Sequence, residues 1–149
     1  MGEEIFDVFD ENNRPVGRVP RSEAHRRGLY HRSVHVLLFN GTGELLLQRR
    51  ALDKDVCPGL WDLSCGEHLQ AGETYEAGAR RGLQEELGID AGALPLTRLR
   101  PVRLQRHVEI ALGIDDREFV ELWRATHDGP LTACADEVSA IKFVPLEAV

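Results

Sequence analysis

Two adjacent carboxylates, Glu85 and Glu86, stand where the sequence predicts that a helix ends. A helix C-terminus carries partial negative charge, so two further anions there are unfavourable unless a cation collects them. Carboxylate and backbone carbonyl oxygens are hard ligands, which favours Mg²⁺ or Mn²⁺ over Zn²⁺. The pair therefore predicts a divalent metal site. The alternative is a solvated helix end at which Arg81 and Glu85 form an ordinary surface ion pair.

A glycine-bearing loop and the helix after it must position these carboxylates. Gly72 supplies a turn, Thr74 is the predicted N-cap, and Gly88 stands where a helix end favours a left-handed residue. The predicted helix spans about residues 75–87. At 100° per residue, Glu86 lies at the edge of an apolar stripe that consists of Ala79, Leu83 and Leu87. Such a helix buries one side and presents the carboxylates at its C-terminal end.

Segment 65–89 resembles the Nudix box. That pattern begins with Gly, any five residues and Glu, and continues with any seven residues and Arg-Glu. It ends with an aliphatic residue, any residue, Glu-Glu, any residue, Gly and an aliphatic residue. The positions that match in register are Glu73, Arg81, Leu83, Glu85, Glu86, Gly88 and Ile89. Two positions depart, because Glu67 stands at the first Gly and Gly82 stands at the Glu after Arg. The resemblance implies a Nudix fold of the α/β (α+β) class, with a mixed β-sheet sandwiched between helices, in a single domain of residues 1–149.

The other elements are predicted from alternating hydrophobicity and turn signals. Asn-Gly-Thr-Gly at 40–43 is a strong hairpin signal. Gly28 is expected to end a short helical turn, and residues 113–116 are expected to form a turn. The predicted strands are residues 5–9, 16–19, 33–39, 44–50, 60–64, one or two strands within 99–112, 118–124 and 139–144.

Composition limits the classes of function. A chain of 149 residues is expected to bury about two-thirds of its unfolded surface as one domain. Its net charge of -7 argues against binding a nucleic-acid backbone, which requires a basic face. An anionic small substrate would need a metal to offset this charge. With three cysteines in no zinc-type spacing, no signal peptide and no apolar run near 18 residues, we expect a cytoplasmic protein that does not span a membrane.

Outside the box the chain resembles a narrower group, the isopentenyl-diphosphate isomerase-like branch of the Nudix superfamily. The similar stretches are residues 6–10, 24–25, 30–36, 45–51, 53–54 and 58–62. In the isomerases, histidines bind a metal together with acidic residues of the strand that corresponds to 116–118. The resemblance implies a second metal set, for which imidazole favours Zn²⁺ or Mn²⁺, formed by His25, His31, His68 and Glu118. The alternative is that His25 and His31 are satisfied polar residues.

The essential cysteine of the isomerases does not transfer to this chain. The isomerases place it two residues before the histidine that matches His68, and Gly66 occupies that position here. Cys65 stands one position early, and a shift of one residue in a strand sends a side chain to the opposite face. We therefore expect that the protein does not isomerise isopentenyl diphosphate. Isomerisation remains the alternative function to be tested.

The leading expectation is a Mg²⁺- or Mn²⁺-dependent hydrolase of a small organic diphosphate, in particular a nucleoside-linked one. The metal would neutralise the diphosphate and lower the pKa of the attacking water. The predicted metal ligands are Glu86, Glu85 and the carbonyl of Gly66, the predicted catalytic residues are Glu85, Glu86 and Glu118, and the predicted phosphate-binding residues are Arg49 and Arg50.

A catalytically weak ligand-binding module is the other class of function. Its support is Gly82, since the carboxylate that the Nudix pattern places there is absent. Glu67 could either reach the metal or distort the loop. Gly82→Glu is expected to add a carboxylate on the flank of Glu86 and to favour the helix by up to about 1 kcal/mol. Glu73 is expected to pair with Arg81.

Overall fold

Strands make up most of the fold in the computed structural model, which describes residues 3–54, 57–136 and 138–149. The elements in chain order are β1 Ile5–Phe9, β2 Pro15–Pro20, α1 Arg21–Arg27, β3 Tyr30–Phe39, β4 Leu45–Arg50, β5 Trp61–Asp62, β6 Cys65–His68, α2 Tyr75–Leu87, β7 Thr97–Glu109, β8 Ile114–Thr126 and β9 Val138–Val144. Short 3₁₀ turns lie at Ile110–Leu112 and Leu146–Ala148.

A mixed sheet is organised around β3. β8 runs parallel to it over its whole length, from Tyr30 opposite Arg117 to Phe39 opposite Thr126. β1, β6 and β4 pair antiparallel with successive stretches of β3. β4 also pairs with β5 and β9, and β7 pairs with β8. The mixed sheet with two helices confirms the predicted α+β architecture.

The apolar face of α2 packs into the core beneath β3 and β4. Its predicted stripe is fully buried and consists of Ala79, Leu83 and Leu87. Burial of each leucine contributes about 1.5–3 kcal/mol to folding. The Thr74 hydroxyl oxygen accepts a hydrogen bond from the Ala77 N–H at 3.1 Å, and Gly88 ends the helix with φ 67°. The predicted bounds and caps of this helix are confirmed.

The turn between β7 and β8 differs from the prediction. The 3₁₀ turn reverses the chain and β8 begins directly after Gly113, so the turn predicted at 113–116 is wrong. Two acidic residues therefore lie within a strand. Arg106 and Arg117 donate hydrogen bonds to the Asp115 carboxylate at 2.9 and 3.2 Å, which compensates its charge there.

The two predicted hairpins, β1–β2 and β3–β4, are confirmed, and Gly28 ends α1 with φ 63°. β5 is shorter than the strand predicted at 60–64, because the Ser64 hydroxyl takes over backbone groups of the neighbouring strands. It accepts a hydrogen bond from the Leu38 N–H and donates one to the Leu46 carbonyl. No helix of the described residues is long and apolar enough to cross a membrane.

Candidate functional site

A cavity of about 990 Å³ opens beside β6. Successive side chains of a strand point to opposite faces. On β6, Cys65 and Glu67 face α2, whereas Gly66 lies against His35 and His68 lies against His25. Two groups of potential ligands lie here: the carboxylate region, which we define as Gly66, Glu67 and Glu86, and the histidine set, which we define as His25, His31, His68 and Asp116. All of these residues line the cavity except His31, which is fully buried behind it.

Glu86 lies inside the protein, where only 4% of the residue is exposed. The Gln48 amide donates a hydrogen bond to its Oε1 at 2.8 Å and a second one to the Ser64 carbonyl at 2.9 Å. The Cys65 thiol lies 3.6 Å from Glu86 Oε2. Because these neighbours are fixed by β4 and β6, the carboxylate is held at the edge of the apolar stripe and lines the cavity.

Arg81 ties the helix to the loop and strand before it. Its guanidinium donates two hydrogen bonds to Glu73, at 2.9 and 3.0 Å, which confirms the predicted pair. It also donates to the His68 carbonyl at 2.8 Å and to Glu67 at 3.2 Å. Burial raises the pKa of Glu73, but hydrogen bonds from Arg81 and the backbone outweigh it and hold that pKa below its ordinary value.

Glu85 points away from this interior. Its side chain is 55% exposed and pairs with Arg81 at 3.1 Å. It is not among the described residues that line the cavity. The structure therefore brings two of the predicted metal ligands, Gly66 and Glu86, to the cavity and places the third at the surface.

Glu67 fills the space beside Gly82. A Cβ atom on Gly82 would lie 2.6 Å from Glu67 Cγ and 2.9 Å from Cys65 Sγ. Both distances are closer than carbon and sulfur atoms approach, so the expectation that Gly82→Glu stabilises the helix is wrong in this setting. Burial, and next the charge of Glu86, raises the pKa of Glu67 to about 8.

The histidine set brings four elements to one point. The ligand atoms of His25 (α1), His31 (β3), His68 (β6) and Asp116 (β8) all lie within 4.8 Å of one another. Asp116 Oδ1 lies 3.1 Å from the Nε2 atom of His31 and 3.6 Å from that of His25. These three atoms are buried and, apart from these mutual contacts, have no hydrogen-bond partner among the described residues. Buried polar atoms that face one another in this way are suited to a shared cation.

The protonation of the histidines also suits a metal. Burial lowers the pKa of His25, and burial followed by the charge of His31 lowers the pKa of His68 well below its ordinary value. A neutral imidazole keeps a lone pair for a metal. The Nδ1 atom of His31 donates to the Leu29 carbonyl at 3.0 Å, which orients Nε2 toward Asp116.

Glu118 lies beside this set. It is buried, and its Oε1 atom is 3.7 Å from His68 Nε2. Burial, and next its hydrogen bond and charge interaction with Asp116, raises the pKa of Glu118 well above its ordinary value. The acidic residue that the structure brings together with the three histidines is thus Asp116, and the predicted Glu118 is its neighbour on the same face of β8.

The two arginines that were predicted to bind phosphate have different positions. Arg50 lines the cavity, together with Lys54. Arg49 donates a hydrogen bond from Nε to the Gly59 carbonyl at 2.7 Å and holds the loop before β5. Only one of the pair is therefore placed to contact a ligand in the cavity.

Sequence reasoning missed Gln48, and within the acidic stretch 116–118 it selected Glu118 and not Asp116. Gln48 had a usable signal, because it follows Leu46 on the inward face of β4, and a polar residue at a buried position needs a partner. Asp116 had a weaker signal, since residues 116 and 118 alternate onto one face of a strand only if that strand begins early enough.

Comparison with known proteins identifies the family. The pattern of the NUDIX domain matches residues 29–149. The chain is 40% identical over 142 residues to an uncharacterized Nudix hydrolase of Pseudomonas aeruginosa, across 95% of this chain and 78% of that protein. It is 33% identical over 144 residues to isopentenyl-diphosphate Delta-isomerase 2 of Photorhabdus laumondii, across 97% of this chain and 78% of that protein.

A solved structure gives the same result. The crystal structure of a Deinococcus radiodurans protein superimposes with a TM-score of 0.77 at 27% identity, over 97% of this chain and 85% of that one. The Nudix domain match covers most of the chain, and the isomerase relative agrees with the resemblance seen in the histidine-bearing stretches. The protein therefore belongs to the Nudix family and has isopentenyl-diphosphate isomerases among its relatives.

Proposed function

We propose that this protein is a metal-dependent hydrolase of a small organic diphosphate, with a nucleoside-linked diphosphate as the substrate. The observation that carries the proposal is the position of Glu86, which is buried, held by Gln48 and open to the same cavity as Arg50 and Lys54. A carboxylate and two cations in one cavity match the needs of a diphosphate, which requires a metal on one side and positive side chains on the other.

The donor set in the carboxylate region fits a hard cation. Glu86 and the Gly66 carbonyl offer oxygen atoms, which Mg²⁺ and Mn²⁺ prefer. The bound ion would neutralise the diphosphate and lower the pKa of a water molecule that attacks phosphorus. Glu85 would act from the surface by holding Arg81, whose other hydrogen bonds fix β6 against the helix.

Other residues of the chain would bind and orient the substrate. Arg50 and Lys54 would contact the phosphate oxygens, and Gln48 would keep the Glu86 carboxylate in one rotamer. Glu118 is the proposed acid–base residue, because its side chain lines the cavity and burial, followed by Asp116, raises its pKa. The cavity is large enough for a nucleoside diphosphate, since small-molecule sites commonly occupy about 300–1,000 Å³.

The histidine set is proposed to hold a second ion. Three imidazoles and one carboxylate favour Zn²⁺ or Mn²⁺ over Mg²⁺. The support is the close approach of three buried atoms, the Nε2 atoms of His25 and His31 and the Oδ1 atom of Asp116.

A screen of phosphate release tests the proposal. The purified protein is incubated with nucleotide sugars, dinucleotides and nucleoside di- and triphosphates, each with Mg²⁺ and with Mn²⁺. We expect release from at least one diphosphate, dependent on the metal and lost in Glu86→Gln. Glu76→Gln is the matched control, because Glu76 is an exposed residue of the same helix that pairs with Arg80. Metal binding without release from any substrate would instead favour the ligand-binding module.

Isomerisation is a second candidate, favoured by the isomerase relatives and by the histidine set. The position of the thiol opposes it. Cys65 is 1% exposed and faces α2, while Gly66 faces the cavity. A Cβ on Gly66 would lie 3.5 Å from His35 Cδ2, an ordinary contact, so Gly66→Cys can fold.

The two thiol positions give a direct test of that candidate. We expect wild-type protein to exchange no solvent deuterium into isopentenyl diphosphate, and iodoacetamide to label Gly66→Cys at the new thiol while Cys65 stays protected. Deuterium exchange by the wild type that is lost in Cys65→Ser would reverse the ranking of the two functions.

A further inference from the structure

Gly82 is an interior helix residue that the helix itself does not favour. Glycine in a helix interior costs about 0.5–1 kcal/mol relative to alanine. The structure gives the reason for this glycine, because the space where a side chain would begin is filled. Glu67 Cγ lies 2.6 Å from the Cβ position of residue 82, and Glu67 Cβ lies 3.4 Å from it.

The side chain that fills the space ends in a carboxylate. Glu67 enters from β6, and only 16% of its side chain is exposed. It lines the cavity together with Glu86, which stands one helical turn after residue 82 on the same flank. A carboxylate carried by residue 82 would begin at the place that Glu67 now occupies.

Arg81 compensates this carboxylate only in part. Its Nη1 atom lies 3.2 Å from Glu67 Oε2, but the same nitrogen also lies 3.1 Å from Glu85. Its other two nitrogen atoms donate to Glu73 and to the His68 carbonyl. The guanidinium that pairs with Glu67 is thus divided among four acceptors, and the Glu67 side chain lines the same cavity as Glu86. Two carboxylates that line one cavity offer the oxygen ligands that a divalent ion prefers.

We propose that Glu67 supplies from β6 the carboxylate that the Nudix pattern places on α2 at position 82, and that Glu67 and Glu86 bind the divalent ion together. The two departures from the pattern are then one exchange, in which Glu and Gly have changed places between strand and helix. Gly82 provides the room, and Glu67 provides the ligand. The inference rests on the proposed function in that the ion is the one that hydrolysis would use.

An exchange of this kind can be tested by reversing it. Four proteins are compared: wild type, Glu67→Gln, Gly82→Glu and the double variant Glu67→Gly/Gly82→Glu. Glu76→Gln serves as the surface control. The probe is Mn²⁺, whose binding is measured by electron paramagnetic resonance. The fraction of bound Mn²⁺ that excess Mg²⁺ displaces reports the site with oxygen ligands, because imidazole ligands do not favour Mg²⁺. Thermal unfolding in chelator is recorded for each protein.

We expect Glu67→Gln to lower the affinity for displaceable Mn²⁺ by about tenfold or more. Gly82→Glu alone should lower the melting temperature without metal, because its side chain meets Glu67. The double variant should regain both the melting temperature and most of the Mn²⁺ affinity, and this non-additivity is the signature of two residues that share one place.

Unchanged Mn²⁺ affinity in Glu67→Gln would overturn the inference, as would a wild-type protein without displaceable Mn²⁺. A folded double variant that binds as weakly as Glu67→Gln would overturn it too. If the double variant does not fold, the isosteric Glu67→Gln decides alone. Failure of the proposed function would give a different result. The Mn²⁺ affinities of the four proteins would change as described, but no substrate would release phosphate.

Discussion

The carboxylate region and the histidine set face one cavity but are built by opposite means. Gly66, Glu67 and Glu86 come from a strand and the next helix, within one short stretch of chain. The histidine set takes one residue from each of α1, β3, β6 and β8. A site that is local in sequence leaves a spacing pattern, whereas a site assembled by strand pairing leaves only scattered residues. This is why the first could be predicted from its own residues and the second required a resemblance.

The two regions also solve the burial of polar groups differently. In the carboxylate region, Arg81 pairs with Glu67, and burial raises the pKa of Glu67 to about 8. In the histidine set, burial lowers the pKa of His25 and His68. The carboxylate region offers only oxygen ligands, whereas the histidine set offers three imidazoles and one carboxylate, so a substitution in one region should leave the metal preference of the other intact.

The largest expected effect comes from Glu86→Gln. Loss of this ligand should lower Mg²⁺-dependent hydrolysis by about 10²-fold or more, because a bound metal contributes several kcal/mol to the transition state. Binding of Zn²⁺ by the histidine set should persist. Steady-state kinetics and Zn²⁺ calorimetry measure the two effects. Equal loss of hydrolysis and of Zn²⁺ binding would show that the two regions form one site.

The converse change is His25→Gln. This residue comes from α1 and is partly exposed, so the substitution should preserve the fold, while its lost nitrogen ligand should weaken Zn²⁺ binding by about tenfold or more. Mn²⁺ that Mg²⁺ displaces should bind as before. Calorimetry with Zn²⁺ and paramagnetic resonance with Mn²⁺ check this. Unaltered Zn²⁺ affinity would mean that His25 is a satisfied polar residue.

The metal-free protein should show opposite pH dependence in the two regions. Between pH 4.5 and about 8 the native Glu67 carboxyl holds a proton that the unfolded chain has released, so its contribution to stability falls as pH rises. Below pH 6.5 the unfolded chain protonates the position of His68 while the native ring stays neutral, so that contribution falls as pH decreases.

Two variants separate these contributions. Relative to wild type, Glu67→Gln should gain about 1–2 kcal/mol of stability at pH 8 compared with pH 5, and His68→Gln should gain stability at pH 5 compared with pH 8. Urea unfolding in chelator measures both, with Glu76→Gln as the control. If the stability of the two variants changed with pH in the same direction, the opposite pKa shifts of Glu67 and His68 would be contradicted.

The smallest effect is expected from Thr74→Ala. Removal of the hydroxyl that caps α2 should cost about 1 kcal/mol, or about 2–4 °C in melting temperature. Thr74→Ser keeps the cap oxygen and should cost less. Since α2 carries Glu86 but no member of the histidine set, amide exchange should increase in the first turn of α2 and not in α1. Equal exchange in both helices would show that they unfold as one unit.

Local signals predicted the local structure well. Thr74, Gly88 and the apolar stripe gave both ends and the buried face of α2, and Asn-Gly-Thr-Gly gave the β3–β4 hairpin. The site was predicted in part: Gly66 and Glu86 reach the cavity, whereas Glu85 does not. Adjacent residues on a helix differ by 100°, so only packing against β4 and β6 decides which of the two carboxylates is buried.

The remaining features depend on contacts between distant segments. No spacing rule relates Gly82 to Glu67, because their fit depends on the distance between β6 and α2. Asp116 joined the histidine set because β8 begins before it, and ion pairs to Asp115 from Arg106 and Arg117 allow that early start. These ion pairs cannot be predicted from a sequence pattern, because they depend on the register of the β7–β8 hairpin.

The parallel pairing of β3 with β8 also determines when each region can form during synthesis. The members of the carboxylate region, and Gln48, which donates a hydrogen bond to Glu86, have all been synthesised once α2 is complete. Asp116 arrives about 30 residues later, on the strand that must slide in beside β3. The three imidazoles of the histidine set therefore precede their carboxylate in synthesis, and that set is complete only when β8 pairs with β3.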